Sequence, residues 1–257
     1  MCLILFSYKQ HPVYPLVFAA NRDEYYDRPS APASFWEDRP DLLAGRDLKE
    51  GGTWLGITRG GRMAALTNYR DPASVKLQAP SRGWLVKDYL YGREDTDIFL
   101  KKLQTQADRY NGFSVILGDP FCLYYFSNRN GTIKLTPGLY GLSNALLNTP
   151  WPKVERGKHR LDALLSQTDD PHPEDLFSIL KDQIRPKDGQ LPDTGIGLEW
   201  ERMLSSMFIT SPIYGTRSSS LLLVDRKRRV TFMERIYNGG SEPWVTAKFQ
   251  FRIEGET

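Results

Sequence analysis

Cys2 directly follows Met1, and a thiol in that position can do chemistry that a cysteine elsewhere in a chain cannot. If the initiator methionine is removed, Cys2 carries both a thiol and a free α-amine. Their reference pKa values, about 8.5 and about 8, are close enough for the amine to serve as the thiol's own general base. That is the logic of N-terminal-nucleophile catalysis. The next dense polar cluster is Asn21-Arg22-Asp23-Glu24, directly after a strand-like apolar run. It reads either as a solvated turn or as a strand end that sets an arginine and a carboxylate beside Cys2. A guanidinium favours a thiolate, and a carboxylate can orient the α-ammonium or accept its proton. Strand neighbours face opposite sides, so Arg22 with Glu24, or Asn21 with Asp23, can face Cys2, but not all four. Asn68 and Asn144 also stand at strand ends. There they either make turns or donate to a developing oxyanion, where one donor contributes about 3 kcal/mol. Tyr214-Gly215-Thr216-Arg217 adds a second arginine beside several hydroxyls.

Competing chemistries are poorly supplied. Gly141-Leu142-Ser143-Asn144-Ala145 nearly spells a serine-nucleophile elbow, but alanine replaces its last glycine, and strands and helices do not alternate around it. No His/Asp/Glu cluster has metal-ligand spacing. His11, His159 and His172 stand alone and read as ordinary surface or helix residues. Two cysteines make no disulfide framework, and Cys122, within Phe121-Cys122-Leu123-Tyr124-Tyr125-Phe126, reads as buried and inert.

The 257 residues carry a net charge of +3, too mild to imply a nucleic-acid partner. The run Asp225-Arg226-Lys227-Arg228-Arg229 reads as a solvated hairpin tip. With 40 % hydrophobic and 12 % aromatic residues, a packed core is within reach and whole-chain disorder is excluded. The N-terminus has no basic region followed by a long apolar one. No stretch approaches the ~18 apolar residues of a membrane span. The expectation is a cytoplasmic chain without stable membrane insertion, its oligomeric state open.

The elements that must position these residues come in blocks. Strands are expected at 2–8 and 16–20, and a hairpin at 53–58 and 63–67 around Gly60-Gly61. Two helices follow. The first is capped by Ser81, turns Trp84, Leu85 and Tyr89 inward and stops near Gly92. The second starts near Asp95-Thr96 with Phe99, Leu103 and Ala107 in register. Strands return at 113–117, 121–126, 133–135 and 139–143. A second helix pair spans 153–165 and 174–184, the latter with Leu176, Ile179, Leu180 and Ile184 on one face. A long loop at 185–197 precedes strands at 207–210, 218–224 and 230–236. Helices in pairs between hairpin blocks favour stacked antiparallel sheets covered by helices, in one α+β domain over 1–257.

One resemblance draws the motifs together. Ala19-Ala20-Asn21-Arg22-Asp23-Glu24, Gly51-Gly52-Thr53-Trp54-Leu55-Gly56, Leu66-Thr67-Asn68, Ser81-Arg82-Gly83, Gly141-Leu142-Ser143-Asn144, Pro150-Trp151-Pro152-Lys153 and Tyr214-Gly215-Thr216-Arg217 accompany Met1-Cys2. The chain thereby resembles the NRDE family, also called the Transport and Golgi Organisation 2 family, from Cys2 to about Glu234. The resemblance implies an N-terminal-nucleophile hydrolase fold, a four-layer αββα sandwich of two antiparallel sheets. It is similar, more distantly, to bile salt hydrolases and penicillin V acylases, which cleave non-peptide amide bonds without a cofactor. By that similarity Cys2 is the nucleophile and its amine the base. Asp23 holds the amine, Arg22 and Arg217 flank the thiolate, and Asn68 and Asn144 line the oxyanion site. Asn21, Glu24, Trp54 and Tyr69 are the ligand-contact candidates. In those acylases two residues separate the arginine and aspartate, whereas Arg22 and Asp23 are adjacent here. The family equally implies a non-catalytic role, trafficking haem or handling acyl-CoA and other lipids in the same pocket. Six Trp, 13 Tyr and 12 Phe are compatible with that apolar cargo, and Arg22, Arg28, Arg46, Arg70 and Arg82 could meet CoA phosphates.

Overall fold

The computed structural model describes residues 3–237 and 244–254. From the N-terminal side come β1 (Leu3–Tyr8), β2 (Leu16–Tyr25), β3 (Ser30–Trp36), β4 (Arg39–Asp47), β5 (Leu55–Thr58) and β6 (Met63–Asn68). Helices α1 (Gly83–Tyr91) and α2 (Thr96–Gln106) follow, then β7 (Phe113–Asp119), β8 (Cys122–Ser127), β9 (Gly131–Lys134) and β10 (Gly138–Leu142). The chain continues through α3 (Pro152–Gln167), α4 (Pro173–Leu180), α5 (Leu198–Met203), β11 (Tyr214–Val224), β12 (Arg229–Ile236) and β13 (Val245–Arg252). One antiparallel sheet runs β10-β1-β2-β11-β12-β13, the other β3-β4-β5-β6-β7-β8-β9. Among the described residues no helix is long and apolar enough to cross a membrane.

The strands of β1 and β2 are apolar on both faces because both faces are covered. Side chains alternate along a strand, so Leu3, Leu5, Val17 and Ala19 pack under α3 and α4 with Val154, Leu161, Leu176 and Phe177. Ile4, Phe6, Phe18 and Ala20 point the other way, against Ile57, Met63, Ala65 and Ile116 of the second sheet. That sheet's outer face, with Ala64, Leu66, Val115 and Phe126, packs under Leu85, Tyr89, Leu100 and Leu103 of α1 and α2. The layers are helices, sheet, sheet, helices, and the fold is an α+β, four-layer αββα sandwich.

Several boundaries differ from the sequence reading, each for a local reason. β2 continues through Asn21-Arg22-Asp23-Glu24 instead of turning, because β11 begins at Tyr214, opposite Tyr25, and supplies a ladder partner. β3 and β4 have no clean alternation to betray them; their pairing shifts register twice, between Ala31 and Ser34 and between Phe35 and Trp36. Residues 207–210 form no strand: Phe208 N–H donates to Asp182 O, and Ile209 N–H to the Thr216 hydroxyl. α5 interrupts the region after the expected loop, and β13, not β12, is the last described strand.

The helices also shift. α4 stops at Leu180, so Ile184 lies beyond its apolar face and is 57 % exposed. On α1, Trp84 is partly exposed, its indole donating to Glu50 O, while Val86 and Leu90 join Leu85 and Tyr89 inside. Ser81 does not cap α1 with its side chain: Arg82 is the N-cap residue, and Ser81 contributes its carbonyl to Trp84 N–H. Cys122 is half-buried rather than buried, packed at the edge of the core beneath α1 and α2. Residues 225–229 do form the β11–β12 turn, held by the Asp225 carboxylate on the N–H groups of Lys227 and Arg229.

Candidate functional site

The end of β2 decides what each member of the polar tetrad can do. Asn21 and Asp23 point toward the helices, as Ala19 does, while Arg22 and Glu24 follow Ala20 into the space between the sheets. Asn21 is fully buried; its amide donates to Leu180 O at 2.9 Å and Met207 O at 2.8 Å, and its oxygen accepts from Ser219 Oγ at 2.5 Å. It pins the end of α4 and the segment after α5 to the sheet. Asp23 Oδ1 accepts from Thr216 Oγ1 at 2.6 Å, and that hydroxyl accepts Ile209 N–H. The strand therefore splits the tetrad into two pairs on opposite faces.

A cavity of about 240 Å³ opens on the inter-sheet side, with Arg22, Glu24, Trp54, Asn68, Ser81 and Arg82 in its wall. Arg22 is only 6 % exposed, and its guanidinium lies 4.2 Å from the Trp54 ring centroid. Its one hydrogen bond among the described residues is a long one, Nη1 to Ser30 Oγ at 3.4 Å. Burial pulls the Arg22 pKa below its ordinary value. Nearby acids are taken by another arginine: Arg28 forks onto Asp47 at 3.2 and 2.6 Å and lies 3.8 Å from Glu24. The cation at the cavity wall is thus left without a carboxylate partner among the described residues.

Trp54 reaches this position because its surroundings lack side chains. A Cβ on Gly45 would sit 2.4 Å from the indole. One on Gly52 would sit 2.6 Å from the backbone carbon of Gly83, where the start of α1 crosses. In the Gly-Gly-Thr-Trp motif Gly52 is thus a packing requirement of this wall, while a Cβ on Gly51 would meet nothing and that residue serves a left-handed turn at φ +69°.

The remaining expected residues divide. Asn68, at the end of β6, lines the cavity. Asn144 does not; it braces that strand end, its Nδ2 donating to Asn68 O at 2.9 Å and its own carbonyl accepting Arg70 N–H at 2.8 Å. Arg70 in turn holds the buried Glu201 carboxylate at 2.7 Å. Arg217 is the extra residue of a bulge, since Thr216 pairs with Asp23 and Ser218 with Arg22. The bulge turns its guanidinium onto the carbonyls of Tyr25 and Arg28, both at 2.9 Å, closing the β2–β3 turn. Tyr69 stays outside the cavity wall, packed over Gly112 with Arg129 above its ring. Cys2 lies outside the described residues. Leu3, the residue after it, pairs with Asn21, one position from Arg22.

Glu234 escaped the sequence reading. It is 1 % exposed, accepts Ala33 N–H at 2.6 Å and Ser218 Oγ–H at 3.2 Å, and borders a smaller space of about 60 Å³ with Arg22, Trp54 and Arg217. Burial pushes its pKa up. The alternation Val230, Phe232, Glu234 carried the signal, a carboxylate on the apolar face of a strand.

For cargo and metals the side chains are sparse. None of the histidines lines either space. His11 is buried rather than at the surface: Nδ1 accepts from Val13 and Tyr14 N–H, and Nε2–H, the tautomer this network implies, donates to Thr168 O. His172 accepts Glu174 N–H as the N-cap of α4. Among the described residues no group of three or more His, Cys, Asp and Glu side chains could hold a metal ion.

A family profile described as Transport and Golgi organisation 2 matches residues 1–239. The human Transport and Golgi organization protein 2 homolog is 39 % identical over 99 % of this chain and 100 % of its own length. The Drosophila melanogaster Transport and Golgi organization protein 2 is 28 % identical over 93 % of each. Among solved structures, the C2A mutant of conjugated bile acid hydrolase from Clostridium perfringens superposes with a TM-score of 0.51 at 10 % identity, covering 100 % of this chain and 99 % of its own. The Caenorhabditis elegans N-acylethanolamine-hydrolyzing acid amidase ortholog gives 0.50 at 9 % identity, over 86 % and 92 %. At such identities the two structures share the fold with this chain.

Proposed function

This chain belongs to the Transport and Golgi organisation 2 family, and on that premise we propose that it is an N-terminal-cysteine hydrolase of non-peptide amide bonds. One observation carries the proposal: a buried guanidinium without a carboxylate partner, Arg22, lines a cavity at the strand end where β1 begins. A buried cation without an anion is costly, and a thiolate is an anion of the right size to compensate it. The β1–β2 register ends at Leu3 opposite Asn21, and β2 runs on from there into Arg22 and Asp23. Both solved neighbours are named as hydrolysing enzymes, one of them an acid amidase, and the C2A mutation of the other falls at its second position.

In the proposed reaction, removal of Met1 frees the Cys2 amine, which takes the thiol proton. The thiolate attacks the acyl carbon, and the amide oxygen becomes an oxyanion facing the Asn68 amide. Collapse of that intermediate breaks the C–N bond, and the α-ammonium returns its proton to the leaving amine. Water then attacks the thioester with the amine again as base, releasing acid and thiol. Arg22 favours the thiolate from the cavity face, and Asp23, on the opposite face of β2 and oriented by Thr216, is assigned to the main-chain α-ammonium and not to the thiol. Asn144 and Arg217 act at one remove, Asn144 by fixing Asn68 and Arg217 by fixing the β2–β3 turn.

The alternative, a carrier of haem or acyl-CoA in the same cavity, has less support. Three of the arginines expected for CoA phosphates, Arg22, Arg28 and Arg82, do lie in the wall, but Arg28 is held by Asp47, and about 240 Å³ falls below the roughly 300–1,000 Å³ usual for drug-sized ligands. The test is intact mass of the purified protein, for loss of Met1, followed by incubation with a panel of acyl amides. An acyl adduct on Cys2, absent in C2A, is the expected result. Retained Met1 with no adduct across the panel sinks the reading, and saturable micromolar haem or acyl-CoA binding would favour the carrier.

A further inference from the structure

Glu234 stands where β12 calls for an apolar residue, after Val230 and Phe232 on the face toward the second sheet. Its two oxygens accept from neutral donors, Ala33 N–H on β3 and Ser218 Oγ–H on β11, so one carboxyl joins the two sheets behind the cavity wall. Across the 60 Å³ space stands Arg22, stacked on Trp54. Arg22 from β2 and Arg217 from β11 are the charged groups facing this space; β3 contributes Ser30, Ala31 and Pro32, and β13 places Ala247 opposite Glu234. No ion pair joins Glu234 to either arginine among the described residues, and Arg217 is committed to Tyr25 O and Arg28 O.

We propose that Glu234 is a positioning residue for the reaction at Cys2: as a neutral acid it fixes the wall behind Arg22 and leaves the guanidinium's charge to the main cavity, and on ionising it draws that charge away. The inference rests on Cys2 being the nucleophile of the same site. A carboxyl excluded from water resists ionisation, and burial does raise this one. In the neutral state Arg22 lowers the thiol pKa. With Glu234 ionised, the arginine has an anion on each side and stabilises the thiolate less.

Glutamine reproduces the neutral acid here, its oxygen accepting Ala33 N–H and its amide donating to Ser218 Oγ. The experiment follows the rate of Cys2 alkylation by iodoacetamide against pH, by intact mass, in the full chain carrying C122S. With E234 intact, the profile should show a second inflection above the ordinary carboxylate range, where alkylation falls short of a single titration. E234Q should remove that inflection and agree with the parent within about twofold below it. Superimposable profiles overturn the proposal. Should E234Q fail to fold, S218A removes one hydrogen bond from the carboxylate and must move the inflection upward; an unmoved one is equally fatal. Alkylation needs no substrate, so an absence of amide turnover leaves this test standing. Unchanged profiles leave the hydrolase reading intact, and a Cys2 that does not alkylate at all overturns both.

Discussion

Replacing Asn21 by alanine strips the donor from two buried carbonyls at once, Leu180 O and Met207 O. Each orphaned buried polar group costs about 1–3 kcal/mol, giving roughly 2–6 kcal/mol for the pair. The buried Ser219 hydroxyl still accepts from Tyr237 but loses the acceptor of its own proton, which adds to the loss. Against a total stability of about 5–15 kcal/mol, N21A should be severely destabilised. Its neighbour should behave in the opposite way. Arg22 has one hydrogen bond, at 3.4 Å, longer than the usual 2.7–3.2 Å, and no carboxylate partner. R22M forfeits a cation–π contact of about 0.5–2 kcal/mol but relieves the desolvation of a buried charge, several kcal/mol. Its stability should therefore equal or exceed the parent's. Urea unfolding by circular dichroism gives both differences, and alkylation of Cys2 in the folded proteins gives the chemical effect: slower in R22M, unchanged in N21A. A larger stability loss in R22M than in N21A would refute this division of the tetrad.

Three further outcomes follow from contacts elsewhere. R70M takes the cation from the buried Glu201 carboxylate, which keeps only its bonds from Thr194, so the melting temperature should fall by the equivalent of about 3–5 kcal/mol; an unchanged melt refutes it. G52A drives a Cβ against the Gly83 backbone, which cannot rotate away, and should cost about 1–3 kcal/mol and displace Trp54, read as a shift in its fluorescence. The two buried acids should oppose each other in pH. Burial pushes Asp182 up, but Arg156 and Ile184 N–H overcome that and hold its pKa below the ordinary value, so its stabilisation is present above the unfolded pKa near 4 and lost as pH falls. Glu234, raised in the folded state, favours folding below the unfolded pKa and loses that contribution as pH rises through its folded one. D182N should flatten the acid limb of the stability curve and E234Q the rising-pH loss; curves parallel to the parent's count against both.

The layer order was legible because paired helices between hairpin blocks leave few ways to cover two sheets. The splitting of Asn21-Arg22-Asp23-Glu24 was legible too, since it follows from strand alternation alone, once β11 is long enough to keep the tetrad extended. What stayed hidden depends on partners far along the chain. Asn144 and Arg217 share residue type with groups that face the main cavity, but tertiary hydrogen bonds direct Asn144 onto Asn68 O and Arg217 onto Tyr25 O and Arg28 O, beside the smaller space only. β3 and β4 were masked by register shifts that break alternation, and Ser81 by a helix that starts one residue after Arg82. Glu234 was readable in principle, yet an isolated glutamate in a strand looks solvated until the opposite sheet is in place.

The hydrogen bond from Asn144 to Asn68 O joins the segment after β10, in one sheet, to the end of β6, in the other. The cavity wall at Asn68 is in this way stitched across the sandwich, and the width of the space it bounds depends on the spacing of the whole stack. A methyl group added or removed deep in the inter-sheet core would change the spacing of the layers, and with it the gape of a site many residues distant. Substitutions that never touch the cavity wall can thereby retune what enters it, while the wall itself keeps its sequence.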